Sequence, residues 1–543
     1  MRWQRCLLAA GTAAALALAA ACGGGQVRGA GDRSSAPSGA GGAAPPATGT
    51  TFVYAPNLDV VTDWDPASSY SNEIVAMQNI YESLTKYNIR TQKVEPRLAT
   101  AWESSKDGKT WTFTLREGVR FHTGKPLTAE AAKDAIQRTK DKGAGAAYIW
   151  DSIKKIKAKD DLTLEFKLKY PAPLDLLASA DFAAYIYDTA AAGSGDLEKW
   201  FAEGRDAGTG PYTVDSWQKG KEVELSLTAF DGYWGGWQGA KFTRVEFRVT
   251  PELTTAAQLV QRGEVSFVPR LNPQLFAQAA AQGAQTTQAP SFQNLLALFN
   301  TESGPLKDER LRKAVQQAID YDGLVAALKG AGVAASGLVP QGLFGHVAGR
   351  TPKQDLAGAE ALLKEAGHGP GGKPLTLTMT YAQGDADQQL LATLLSSTLS
   401  TLNVKLEAEP LQWTTQWDRG KSADTGKRQD IFVMYWYPDY ADAYSWFANV
   451  FRSSDTPSFN LTYLKDDTFD EAVDKLNELA AVDKEAALTS YADLQTRLID
   501  ELAAVAVPYV MNYQRVLAGG IGGYVDNPAY PNVVFVYDLT PGA

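Results

Sequence analysis

Apolar and polar residues alternate in several short runs along the first half of the chain. T-W-T-F-T-L at 110–115 and L-T-L-E-F-K-L at 162–168 have the period of two that marks half-buried strands. E-V-E-L-S-L at 222–227 and T-R-V-E-F-R-V at 243–249 predict two more strands. Between them, residues 128–140 predict a helix with Thr128 as its N-cap. The rhythm then changes. Leu311, Ala314, Val315, Ala318 and Ile319 share one helical face. Asp355 caps a second helix and Gly367 ends it, with Leu356, Ala359, Leu363 and Ala366 predicted to face inward. A strand follows at 375–381, a helix at 387–401, a strand at 403–408 and a buried strand at 430–436. This alternation predicts an α/β fold with a mostly parallel sheet. Ligands of α/β sheets usually sit at the carboxyl ends of the strands. The segment Y-W-Y-P-D-Y-A-D-A-Y-S-W-F (435–447) starts at such an end and joins seven aromatic rings to two aspartates. A core strand refuses the carboxylates and a solvated loop refuses the rings, whereas a ligand site uses both.

The amino terminus supplies an address. M-R-W-Q-R is followed by an apolar run of fifteen residues, 7–21, which has the length of a secretory signal core and is short for a bilayer span. Ala19, Ala20 and Ala21 precede Cys22, and this junction resembles a bacterial lipobox with its leucine one place early, at Leu18. Residues 1–21 are thus expected to be a signal peptide, with Cys22 the lipidated first residue on the outer face of the cell membrane. The alternative is an ordinary signal peptide cut near Ala21, leaving a free secreted end. Residues 22–50 are mostly Gly, Ala, Ser, Pro and Thr and are expected to stay disordered, a tether reaching on the order of 30 Å. Cys6 would leave with the signal, so the mature domain has no cysteine for disulfides or thiolate chemistry. The 543 residues suggest two to four structural units. From Thr51 onward no long low-complexity linker separates them. The formal net charge of −10 argues against sequence-independent nucleic-acid binding, so no nucleic-acid partner is expected.

Longer motifs then appear in a fixed order. E-P-R-L-A-T-A-W-E-S-S-K-D-G-K-T-W-T-F-T-L-R-E-G-V-R-F-H-T-G-K-P-L-T-A-E-A-A-K-D-A-I-Q-R (95–138) is followed by G-T-G-P-Y-T-V-D-S-W (208–217). Y-W-G-G (233–236) and F-N-T-E-S-G-P-L-K-D-E-R-L-R-K-A-V-Q-Q-A-I-D (299–320) come next, then L-V-P-Q-G and the L-L-K-E-A-G helix end. In these motifs nearly all of residues 51–543 resembles the extracellular solute-binding proteins of ABC importers, in the oligopeptide- and dipeptide-binding group called family 5. Ala131 and Ser266 depart from that family's usual acidic residues, at positions that read as structural. The resemblance implies a two-lobed periplasmic-binding-protein-like clamshell (type II, cluster C), with an extra subdomain in the first lobe. Lobe I would take 51–87, 190–297 and 520–543, the extra subdomain 88–189, and lobe II 298–519. It also implies a monomer without cofactor or metal. Such a protein closes on a small solute, here expected to be a peptide, and docks on ABC permease subunits.

In peptide-binding relatives, a W-x-x-D segment supplies the aspartate that meets the ligand's amino terminus. Trp436 and Asp439 have that spacing here, and Trp413 in E-P-L-Q-W-T-T-Q-W matches another cleft position. Tyr440, in the same loop, completes the candidate ligand-binding set of Asp439, Trp436, Trp413 and Tyr440. From the residues alone, Asp439 also fits a turn after Pro438, Trp436 fits ordinary core, and Asp442 reads as a surface or capping residue. An arginine that reads the peptide carboxylate in some relatives is Val433 here. This leaves the carboxylate's reader unassigned and keeps oligosaccharides and metal chelates open as ligands. The three histidines, His122, His346 and His368, are well separated in sequence, and His122 reads as structural. A rival of another class is a secreted glycoside hydrolase using Asp439 and Asp442. Against it, the chain has no G-x-S-x-G, H-E-x-x-H or P-loop pattern, so no catalytic residue is assigned. A ligand sensor reporting to a partner is a third class.

Overall fold

Two long strands, Gln285–Phe299 and Val505–Leu517, run antiparallel through the middle of an eleven-stranded sheet in the computed structural model, which describes residues 50–57, 59–347 and 351–542. On one side of them, Leu375–Ala382 pairs in parallel with Val404–Leu411 and with Ile431–Trp436. On the other, Thr51–Tyr54 pairs in parallel with Arg244–Arg248 and with Phe267–Val268. Val223–Ala229 and Tyr212–Trp217 then extend the sheet antiparallel. The expectation of a mostly parallel sheet therefore holds only for the three-strand set nearest the middle on each side. The chain crosses the middle outward along 285–299 and returns along 505–517, so the two crossings must oppose each other.

Side-chain alternation on the central strands divides the interior. Leu295, Ala297 and Phe299 pack with Ile431, Val433, Leu377 and the helix residues Leu311 and Val315. Leu296 and Leu298 point the other way and pack with Phe432, Met434 and Trp436. Val433 thus lies on the face opposite Trp436, in the helix-side core.

A separate antiparallel sheet is formed by Ala99–Ser104, Thr110–Leu115, Thr163–Leu168 and Ile153–Ala158. Helix Ala129–Lys142 belongs to this unit. Its Thr128 hydroxyl accepts from Ala131 N, and Gly143 ends it at φ +62°. In the later half, Asp355 caps Leu356–Glu365 as expected. Ala359 and Leu363 are buried, but Leu356, expected to face inward, is 41% exposed because it starts the first turn, before the helix meets its neighbours. The expected signal peptide, the expected lipidation at Cys22 and the expected tether up to Gly49 lie outside the described residues. Among the described residues, no helix is long and apolar enough to cross a membrane.

Candidate functional site

Strand Ile431–Trp436 ends where Pro438 removes a backbone donor from any further ladder. The chain turns there, and Asp439 becomes buried, 1% exposed. Its carbonyl accepts from Asp181 N at 2.7 Å. Its carboxylate accepts from three side chains. Tyr70 Oη lies 2.9 Å from both carboxylate oxygens, Tyr148 Oη 2.5 Å from Oδ2, and Asn449 Nδ2 3.2 Å from Oδ2. Asn449 also donates to Tyr70 Oη at 3.1 Å.

These partners come from three places. Tyr70 precedes helix Ile74–Ile80, Tyr148 sits in the 3₁₀ turn Ala147–Trp150, and Asn449 sits in the π-helical turn Trp446–Phe451. A π turn carries an extra residue and so re-aims side chains, which is why such turns recur at functional sites. Its register here brings Asn449 to the carboxylate ten residues earlier in the chain.

All three donors are neutral. Burial pushes Asp439 up from 3.8 to about 6, while the bonds from Tyr148, Tyr70 and Asn449 pull against that rise. Burial, and then the Asp439 charge, raise Tyr70 and Tyr148 well above the ordinary phenol range, so both stay protonated donors. For Asp439 the folded value exceeds the unfolded one. Its stabilising contribution is therefore complete below about pH 4 and is lost as pH rises through about 6. In ligand-free protein, the melting temperature of Asp439→Asn relative to wild type should rise between about pH 4 and about pH 6 and level off above that. A difference that stays flat with pH would contradict this titration.

Aromatic contacts extend outward from the carboxylate. The Tyr70 ring meets Phe182 edge-on at 5.0 Å and Phe459 at 5.3 Å. Phe459 meets Trp436 and Trp417, each at 5.3 Å, and Trp417 meets Trp413 at 5.3 Å. Trp436 is fixed by its Nε1 donating to Ser445 Oγ at 3.2 Å. Trp413, at the outer end of this line, is 47% exposed.

Asp439, Trp436 and Trp413 are thus joined by one chain of contacts that runs through Tyr70, Phe459 and Trp417. Tyr440 goes elsewhere, since it is buried and its hydroxyl donates to Asn477 Oδ1 at 3.2 Å in helix Asp467–Val482. Asp442 caps Tyr444 N at 2.8 Å but is buried rather than on the surface. It accepts from the Tyr491 hydroxyl, and burial pushes it to about 6. Asp439 and Asp442 therefore face different environments. Tyr70, Tyr148, Asn449 and Phe459 were not singled out by the sequence pattern. The histidines take local partners: His122 pairs with Asp206, His346 Nδ1 lies 2.8 Å from Val339 O, and His368 Nδ1 lies 3.0 Å from Lys373 O.

Comparison with known proteins agrees with this architecture. Residues 93–458 match the family described as bacterial extracellular solute-binding proteins, family 5 Middle. The chain is 30% identical over 482 residues to the probable D,D-dipeptide-binding periplasmic protein DdpA of Escherichia coli strain K12, covering 86% of this chain and 90% of that one. The periplasmic binding protein DppA of Helicobacter pylori, solved with the peptide STSA, superposes with a TM-score of 0.80 at 22% identity, covering 92% of this chain and 99% of that one. The murein tripeptide-binding protein MppA of Escherichia coli superposes at 0.79 with 22% identity over 92% of this chain and 99% of that one. MppA in its unliganded open form reaches 0.65 at 22% identity over 92% and 98%.

Proposed function

The chain belongs to family 5 of the bacterial extracellular solute-binding proteins, whose members bind solutes for ABC importers and are not enzymes, and on that premise we propose that it captures a peptide with a free amino terminus between two lobes. The glycosidase reading of Asp439 and Asp442 is set aside with the family. The lobes are residues 51–87, 190–297 and 520–543 against 298–519, with 88–189 as the extra subdomain. Closing them delivers the peptide to the permease, and Cys22 carries the lipid that holds the protein at the membrane.

One observation carries the peptide reading. Asp439 is a buried carboxylate at a junction where Tyr70 and Tyr148, from distant parts of the chain, meet the nearby Asn449. Neutral donors satisfy its hydrogen-bonding capacity but leave its charge uncompensated. A ligand ammonium supplies that charge and is stripped of water by the same closure. The Trp436–Phe459–Trp417–Trp413 line then covers apolar ligand surface.

A thermal-shift screen over free-amine peptides, oligosaccharides and metal chelates tests the ligand class, because a ligand of the native state raises the melting temperature. Free-amine peptides should raise it. A shift from sugars or chelates alone would replace this reading.

The hydroxyls of Tyr70 and Tyr148 also tie the lobes together without ligand. Tyr148→Phe keeps the ring and removes a bond to a charged group, worth about 1.5–3 kcal/mol. The closed-to-open ratio of ligand-free protein should fall by about ten- to a hundredfold, seen as a larger radius of gyration in small-angle scattering. An unchanged radius in a protein that still closes on ligand would show that the bond does not hold the lobes.

A further inference from the structure

Asp181 lies directly across the junction from Asp439 and is 1% exposed. Its backbone is held on both sides. Its N–H donates to Asp439 O at 2.7 Å, and its carbonyl accepts from Gln78 Nε2 and Tyr185 Oη, each at 2.7 Å. Those contacts spend the nearby donors on the main chain. The Tyr530 hydroxyl donates to Ser179 O at 3.3 Å and also reaches the Asp181 carboxyl group, where it pulls against the rise in its pKa. Asp181 Oδ2 is left buried with no hydrogen-bond partner among the described residues. Such an atom is costly to bury and calls for an explanation in function. Burial raises Asp181 well above the carboxylate range, and the Asp439 charge raises it further. Both charges also act on Tyr437, in the loop between them, whose ring lies 6.4 Å from Phe182.

One ammonium compensates one of these acids. We propose that Asp181 and Asp439 form a two-carboxylate subsite, in which Asp439 takes the ligand's α-ammonium and Asp181 takes a second cationic group next to it. The ligand class is then a peptide whose first residue has a basic side chain. This proposal rests on the peptide reading above and adds the identity of the first side chain. Asp181 is the specificity-determining residue, and its unpartnered oxygen is the acceptor for the side-chain cation.

The test is isothermal titration calorimetry of wild type and Asp181→Asn with two series, Xaa-Ala and Xaa-Ala-Ala-Ala. Xaa is 2,3-diaminopropionyl, ornithyl, lysyl or the uncharged norleucyl. In wild type, at least one basic residue should bind about tenfold or more tighter than norleucine, an effect of about 1.4 kcal/mol. In Asp181→Asn that preference should collapse to parity, while the norleucyl peptides keep their affinity within about threefold, which also reports that the variant is folded. Norleucyl peptides that bind wild type as well as every basic peptide would remove this proposal and leave the peptide reading standing. A basic preference that survives in Asp181→Asn would do the same. If no peptide of either series binds wild type, the peptide reading falls and this proposal falls with it.

Discussion

Asp439→Asn is expected to weaken binding of free-amine peptides by about two to four orders of magnitude and to leave N-acetylated peptides nearly unchanged. Removing one partner of a buried charge pair typically costs about 3–5 kcal/mol, because the other charge stays desolvated and uncompensated. Asparagine keeps the size of the side chain and one acceptor oxygen for Tyr70 Oη and Tyr148 Oη, so the walls need not move. What it loses is the charge. An acetylated peptide has no ammonium to strand, so it samples only the change in walls and dipoles. Calorimetry with Ala-Ala-Ala and acetyl-Ala-Ala-Ala measures both arms. Equal losses in the two would take the ammonium away from Asp439. In wild type the same difference should shrink as pH falls through about 6, because protonation of Asp439 neutralises the anchor.

Gly208→Ala should cost about 3 kcal/mol or more of folding stability, read from the midpoint of urea unfolding. A Cβ at this position would lie 2.1 Å from the carbonyl oxygen of Ile80 and 2.9 Å from its carbon. Both are backbone atoms at the end of helix Ile74–Ile80, so no side chain can rotate away. The close approach is also bonded. Gly210 N donates to Ile80 O at 2.9 Å, and His122 N donates to Gly208 O at 2.8 Å. His122 Nε2 lies 2.9 Å from Gly210 O, and its other nitrogen pairs with Asp206. Asp206 in turn accepts from Val214 N and Thr213 Oγ1, each at 2.8 Å. The G-T-G-P-Y motif and the R-F-H-T-G motif are therefore two sides of one joint that seats the helix beginning just after Tyr70. Gly426→Ala is the control. Its Cβ would meet only Asp424 Oδ1, at 3.4 Å, and it should change stability by no more than about 0.5 kcal/mol. Similar midpoints for the two variants would mean the helix end yields to the Gly208 methyl.

Period-two runs and capped helices were legible because their signals lie within a few neighbouring residues. The strand expected at 110–115 spans Thr110–Leu115, and the helix expected at 387–401 spans Ala386–Thr401. The structural reading of His122 agrees with its buried pairing to Asp206. Sheet direction was less legible. The antiparallel crossings pair Leu298 with Val505, more than two hundred residues apart, and no local pattern encodes that. Nor did the pattern separate Asp439 from Tyr440. Adjacent residues in an irregular turn send their side chains to different places, and here one meets Tyr70 while the other reaches Asn477.

By itself the sequence determined the elements, the motif order and the placement of an acid-and-aromatic segment at a strand's carboxyl end, since each depends on local spacing and residue type. Only the tertiary structure decided which groups surround that acid. Tyr70, Tyr148 and Asp181 lie hundreds of residues from Asp439 and meet it because the chain crosses twice between two half-sheets. The Asp439 pKa of about 6 comes from that convergence, because desolvation depends on everything that excludes water from a group and not on its neighbours along the chain.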